Sequence, residues 1–337
     1  MVMNSEVFFA GDINLQSGQQ LNDARLCYAT YGNLNESGDN AILIPTYYTG
    51  KHSNNEAFFG PDRAIDTNRY FVVVPNLFGN GLSSSPSNTT GKQSAIGFPA
   101  VSIYDNIECQ YRLLTEVLGV KHLRLATGWS MGAIQAYHFA ARYPQMVDSL
   151  LPFCGAARCS PHNDVFLQGV AAALKADSAF DNGNYQSPPV TGLKAFARVY
   201  CGWAYSQSFF RNHQYQALGF DNIEALFQDW EQDHLQWDAN DLLAKINAWR
   251  SADIASHAKF DGSFKDAMRS ITARTIVMPC KSDLYFPPED SEIEVDLMSD
   301  AQLRVIDSDW GHCCASPGRH AKTMKELENA FTELLAE

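Results

Sequence analysis

The chain has 337 residues, is 45% hydrophobic and 19% charged, and carries a formal net charge of −13. That length and apolar content suffice for a sizeable core, and no low-complexity tract interrupts them. No Lys/Arg cluster rises from the acidic background, so neither a nucleic acid nor a membrane is expected as a partner.

Met1 to Gly11 shows no basic segment leading into a long apolar one, and no stretch approaches transmembrane length, so a cytoplasmic location is expected. The 8 cysteines then read as reduced thiols. None forms Cys-x-x-Cys, and Cys313 and Cys314 are adjacent in sequence, so no metal site is expected. Cys27, Cys109, Cys201 and Cys280 read as small buried hydrophobes.

In chain order, Val7 to Leu15 and Ala24 to Tyr31 are strand-like around the polar Ser17-Gly18-Gln19-Gln20, predicting an opening antiparallel hairpin. Ala41 to Thr46 and Tyr70 to Pro75 are continuous apolar runs, suited to central parallel strands covered on both faces. Glycine-bearing loops follow both, at Thr49-Gly50 and Gly79-Asn80-Gly81. The apolar spacing Ile103, Ile107, Tyr111, Leu114, Val117 is helical, and Val120 to Ala126 returns to strand. That strand enters Gly128-Trp129-Ser130-Met131-Gly132, and a helix pattern through Gln135, Ala136, Phe139 and Ala140 leaves it. A Gly-x-Ser-x-Gly between strand and helix is the pattern of a nucleophile elbow, where small residues must flank a serine held on a tight turn. The rival is a serine in an ordinary glycine-rich turn.

Val147 to Phe153 forms the next strand, and the alternation implies a right-handed parallel sheet. Residues 156–269 carry helical segments rich in aromatics, among them Phe196, Tyr200, Trp203, Trp230, Trp237 and Trp249, and offer no strand with a partner. They predict a helical lid inserted into a core formed by 1–155 and 270–337, the aromatics serving first as its packing core. The sheet resumes at Arg274 to Cys280, a helix follows from about Glu289 to Met298, Leu303 to Ile306 is a last strand, and a closing amphipathic helix runs from about Arg319 to Leu335. The fold class expected is an α/β-hydrolase fold with a mostly parallel sheet.

A serine hydroxyl needs an adjacent base, itself oriented by a third group, and in this fold the order along the chain is Ser, Asp/Glu, His. Asp283 lies in the loop after a late strand, and His312 in the loop after the last one. Ser130 is thus expected as nucleophile, His312 as base and Asp283 as the group that orients it. Glu289 and Asp290 are rivals for the acid but read as first-turn helix residues; His52 and His320 are rivals for the base but fall outside that loop. One oxyanion amide is expected from Met131 and a second from Tyr47, Tyr48 or Thr49, which composition does not separate.

These residues, with Tyr48-Thr49-Gly50, Pro75-Asn76, Ser85-Pro86-Ser87, Gly192-Leu193, Ala197-Arg198, Tyr205, and Ser282-Asp283 before Phe286-Pro287-Pro288, resemble the homoserine O-acetyltransferase family across nearly the whole chain. The resemblance implies a Ser/Asp/His triad, ping-pong acyl transfer from acetyl-CoA with no bound cofactor, and a homodimer joined through the lid. It also implies that Tyr48 supplies the second oxyanion amide and that Arg198, Tyr205 and Thr49 face the substrate. Typical members carry an aspartate after the catalytic histidine that helps bind the homoserine ammonium; here Cys313 stands there, with Asp309 as a nearby substitute or an ordinary turn residue. Tyr47-Tyr48 also replaces smaller residues. An uncompensated ammonium in a closed pocket is costly, so hydrolysis of small acyl esters is expected, with acetyl-CoA-dependent transfer to homoserine or a related alcohol as the alternative and an inactive binding protein as the second.

Overall fold

The computed structural model describes residues 5–336. Strands β1 (Glu6–Asn14) and β2 (Gln20–Tyr31) form the opening hairpin, with the Leu15 amide donating to the Gln19 carbonyl at the turn (2.8 Å). The hairpin joins β3 (Ala41–Leu43), β4 (Phe71–Pro75), β5 (Leu123–Trp129), β6 (Ser149–Phe153), β7 (Arg274–Val277) and β8 (Ala301–Leu303) in one sheet of order β1-β2-β4-β3-β5-β6-β7-β8. β1 to β2 and β2 to β4 are antiparallel and every other pairing is parallel. Every residue of β3, β4 and β6 is buried, the signature of strands covered on both faces.

Helices α1 (Ile103–Arg112) and α2 (Met131–Arg142) flank β5 in sequence. The first begins at a reciprocal cap, with the Ser102 hydroxyl accepting from the Asp105 amide and the Asp105 carboxylate accepting from the Ser102 amide. β8 starts before the predicted apolar run. Beyond it, Arg304 N–H donates to the Val277 carbonyl (2.9 Å) and Ile306 N–H to that of Pro279 (2.8 Å). Pairing therefore continues past both strands, but Pro279 has no N–H to return and the regular ladder stops.

Between β6 and β7 lie α3 (Pro161–Lys175), α4 (Val190–Ala204), α5 (Gln207–Arg211), α6 (Ile223–His234), α7 (Ala239–Arg250) and α8 (Phe264–Arg269), with no strand among the described residues. Phe166, Phe196, Tyr205, Phe209 and Trp249 are fully buried in this layer. Two tyrosines from loops at the carboxyl ends of the strands are threaded among them. Tyr48 stacks on Tyr200 at 5.5 Å between centroids, and Tyr285 on Phe166 at 4.6 Å. Each buried ring contributes roughly 1.5–3 kcal/mol over exposure, so these two rings fasten the layer to the sheet edge. The last helices are α9 (Pro288–Leu297) and α10 (Ala321–Leu335).

Glu294 of α9 is buried, and its Oε1 accepts from the Ala157 amide at 2.6 Å, while Oε2 has no partner. Burial raises its carboxyl to about 8. A carboxyl raised on folding contributes stability that is fully present below its unfolded value, near 4.5, and is lost as pH rises through about 8. Within that window the loss is about 1.4 kcal/mol per pH unit. Thermal melts from pH 5 to 8 are expected to fall steadily for the wild type and to be flatter for Glu294→Gln, which keeps the acceptor and cannot ionise. An unchanged slope in the variant would refute this assignment.

Candidate active site

The turn from β5 into α2 holds Ser130 at φ +59° and ψ −125°, a conformation that side-chain-bearing residues rarely adopt. Such a residue costs about 1–3 kcal/mol and persists only where its surroundings over-determine it. Here glycines allow those surroundings to close in. A Cβ on Gly128 would stand 2.5 Å from the Gly132 carbonyl carbon, one on Gly132 would stand 2.7 Å from the Pro45 oxygen, and one on Gly155 would stand 2.8 Å from the Ser130 oxygen. The Ser130 amide donates to the Phe153 carbonyl (3.2 Å), and the Ser130 carbonyl accepts from Ala133 (2.9 Å) and Ile134 (3.1 Å).

His312 follows β8 in a short helical turn, Gly311–Ala315, and Asp283 follows β7. The Ser130 hydroxyl lies 3.0 Å from His312 Nε2, and His312 Nδ1 lies 2.7 Å from Asp283 Oδ2. The other carboxylate oxygen of Asp283 accepts the amides of Tyr285 (2.8 Å) and Phe286 (3.2 Å). All three side chains are buried. The imidazole is held between Trp129, stacked at 4.9 Å, and Tyr285, edge-on at 4.7 Å. A hydroxyl, an imidazole and a fully bonded carboxylate in this chain can move a proton off the serine and keep the resulting imidazolium paired.

The amide of Met131 has no hydrogen-bond partner among the described residues, nor do those of Tyr47, Tyr48 and Thr49. Gln135 of α2 binds the two backbone pieces together, its Nε2 donating to the carbonyls of Thr46 (2.8 Å) and Met131 (3.0 Å). Unpartnered backbone donors of this kind are what a developing oxyanion requires.

A cleft of about 620 Å³ opens beside these groups, lined by Tyr47, Thr49, Trp129, Cys313, Arg319 and the exposed side of α6. Tyr47 stands edge-on to Trp129 at 4.6 Å and covers Gly50, whose Cβ would come within 2.8 Å of its ring. Tyr205 is buried behind Cys313 with its ring stacked on Phe209 at 4.0 Å. Burial pushes the Cys313 thiol up to about 12, so it is uncharged at neutral pH.

Arg198 lies elsewhere. Its guanidinium pairs with Glu224 (2.6 Å) and Glu231 (2.5 Å) in an adjoining surface cleft, which shares Asp229 and Gln232 with the first; Arg198 lines only this second one. Asp309 pairs with Lys281 at 3.3 Å and does not line the cleft, so it offers no charge in place of the aspartate that Cys313 replaces. The acidic groups that do line it, Asp229 and Asp233, come from α6 and are exposed. Glu289 and Asp290 occupy the first turn of α9. His52 is bonded to Asn76 and His320 caps α10.

Sequence reasoning missed Lys245 of α7, which is buried and donates from Nζ to the Tyr48 carbonyl at 2.7 Å. A lysine in a helix pattern reads as solvated surface, and nothing local marks this one. Among the described residues, no group of three or more His, Cys, Asp or Glu side chains is arranged to hold a metal ion, and no helix is long and apolar enough to cross a membrane.

A mostly parallel sheet with an antiparallel edge, a strained serine after its fifth strand and an imidazole after its last are the architecture of an α/β-hydrolase enzyme. The chain belongs to the alpha/beta hydrolase fold family, whose model matches residues 42–315. It is similar to an ethyl acetate hydrolase of Pseudomonas veronii, 34% identical over 335 residues that cover 98% of this chain and 95% of the relative. A homoserine O-acetyltransferase of Symbiobacterium thermophilum is 32% identical over 333 residues, 88% of this chain and 86% of that one. Among solved structures, the acetyl esterase MekB superposes with a TM-score of 0.95 at 33% identity, covering 99% of this chain and 97% of its own.

Proposed function

We propose that the protein hydrolyses small, acetyl-type carboxylic esters through an acyl-serine intermediate. Ser130 Oγ attacks the ester carbonyl carbon while His312 Nε2 takes its proton, and Asp283 holds the ring in the tautomer that can accept it. The oxyanion faces the amides of Met131 and Tyr48. His312 then protonates the departing alkoxide. Water, deprotonated in turn by His312, attacks the acyl carbon; the bond to Ser130 Oγ then breaks, His312 returns the proton to that oxygen and the carboxylic acid leaves. No cofactor enters these steps.

The observation that carries the choice of water as acceptor is the neutral, buried Cys313 directly after His312. An acceptor ammonium beside it would be desolvated with no charge to meet it, and the acidic side chains of the cleft are on its solvent side. Arg198, committed to Glu224 and Glu231, supports an ion-pair role over a role in reading an acceptor carboxylate. Thr49 remains as the residue that faces the alcohol side, while Tyr205, expected there too, is buried and backs the Cys313 wall. The esterase and acetyl-esterase relatives support the same reading, and the homoserine O-acetyltransferase relatives support transfer from acetyl-CoA as the alternative.

We further propose that 156–269 acts as a lid on a core of 1–155 and 270–337, and that two copies associate through it. Two assays with the pure protein separate the readings of function. Rapid release of p-nitrophenol from p-nitrophenyl acetate, with CoA release from acetyl-CoA unaffected by homoserine, is expected. Homoserine-dependent release of CoA at a rate exceeding ester hydrolysis would overturn the esterase reading.

A further inference from the structure

Tyr48 is tied down at every polar group except its amide. Its hydroxyl donates to the Leu242 carbonyl of α7 at 3.0 Å, and its ring packs among Phe196, Tyr200 and Trp249. Its carbonyl accepts from Lys245 one turn further along α7. The Tyr47 carbonyl accepts from the Gly50 amide at 3.0 Å, so Tyr47 to Gly50 is a β-turn with Tyr48–Thr49 as its central peptide. Type I and type II turns differ by a flip of that central peptide, which exchanges the directions of its C=O and N–H while the ends stay in place. The bond from Lys245 to the Tyr48 carbonyl opposes that flip, which would turn the Thr49 N–H; the Tyr48 N–H lies on the preceding peptide and is held because Tyr48 is fixed through its carbonyl, hydroxyl and ring.

The lysine is held for this contact at a considerable cost. Its ammonium makes no carboxylate pair among the described residues. It sits 3.6 Å from the centre of the Trp237 ring and 4.9 Å from that of Tyr48, and its stem packs on Gly79, where an added Cβ would stand 3.2 Å from Lys245 Cγ. Asp241 on the same helix is turned to Ser87, whose hydroxyl (2.6 Å) and amide (2.9 Å) it accepts. Burial lowers the Lys245 amine to about 7, against the opposing pull of Asp241 and Asp233, so a proton on it is costly to keep, and an apolar side chain would fill the space without that cost.

We infer that Lys245 is a positioning residue of the oxyanion site: by gripping the Tyr48 carbonyl from α7 it fixes the Tyr48–Thr49 peptide and the Tyr48 residue itself, and so holds in place the free Tyr48 amide on the preceding peptide. The inference rests on the acyl-serine reading above. It makes the inserted helices part of the machinery that receives the oxyanion. A ligand with trigonal carbon needs the amide little; a tetrahedral anion needs it fully.

The test compares wild type with Lys245→Met, Lys245→Gln and Lys245→Arg, using p-nitrophenyl acetate for turnover and phenylboronic acid for binding. The boronic acid forms a tetrahedral anion on the serine oxygen and so reports the oxyanion site without turnover. Loss of a whole oxyanion donor costs about 100- to 1000-fold in kcat, so a displaced one is expected to cost about 10- to 100-fold. Met and Gln, which cannot reach the carbonyl with a donor, are expected to lower kcat by that factor with KM nearly unchanged, and to raise the phenylboronic acid Kd in parallel. Arg, which retains a charged donor, is expected to recover most of both. Wild-type kcat and boronate affinity in a folded Met or Gln variant would overturn the inference, as would a change confined to KM. Failure of both variants to fold would also overturn it, by making the lysine structural. A wild type without ester turnover would instead point to failure of the proposed reaction itself.

Discussion

Ser130→Ala is expected to lower turnover of p-nitrophenyl acetate by roughly 10⁴- to 10⁶-fold, the range seen when a serine nucleophile that acts as a unit with its base is removed. The bond that breaks in the first step is exchanged for one to Ser130 Oγ, and among the described residues no other hydroxyl lies within hydrogen-bond distance of His312 Nε2. The fold is expected to survive, because the elbow is held by backbone bonds of Ser130 to Phe153, Ala133 and Ile134 and by the glycines around it, none of which uses the hydroxyl. Stopped-flow acylation together with a thermal melt checks both parts. Unchanged turnover in a folded variant would remove Ser130 from the reaction altogether and assign the catalysis to another group.

Asp283→Asn is expected to lower kcat by about 10³- to 10⁴-fold with little change in KM, and the reason is the hydrogen-bond arrangement around the carboxylate. One carboxylate oxygen accepts from Tyr285 and Phe286, both backbone amides that can only donate. In the variant the amide oxygen must stay on that side, which turns the amide NH₂ toward His312 Nδ1. That nitrogen would then have to accept, so the ring proton would move to Nε2, facing Ser130, where it could take nothing from the hydroxyl. The loss is thus one of tautomer and of paired charge rather than of position. A crystal structure of the variant with the ring unmoved, together with slow acylation, is the expected pair of results; a variant within tenfold of wild type would indicate that Asp283 serves only to hold the loop.

The parts of the site that were legible in the sequence share a physical property. Ser130 sits where a backbone conformation demands glycines around it, and that demand is written in five consecutive residues. Asp283 and His312 lie in loops whose place follows from counting strands. Apolar runs at 41–46, 70–75 and 147–153 announced buried strands because a strand covered on both faces has no polar position to show. The exact end of β8 was not legible, since it depends on Pro279, just beyond the neighbouring strand.

Arg198, Asp309 and Lys245 were illegible for the converse reason. A charged side chain carries no local mark of which partner it will meet: Arg198 and Asp309 found opposite charges near the surface, while Lys245 was carried inside by a helix that packs on the Tyr48 turn. Tyr48 itself could be placed in a loop but not among the aromatic rings of the helices. By itself, then, the sequence determined the sheet, the elbow and the order of serine, acid and base, because backbone sterics and apolar periodicity are local. Only the tertiary structure decided which cations and carboxylates face the cleft, that the residue after His312 is an uncharged thiol in its wall, and that a lysine 197 positions away in the chain holds the turn beside Ser130, because burial and charge pairing are set by contacts between segments distant in sequence.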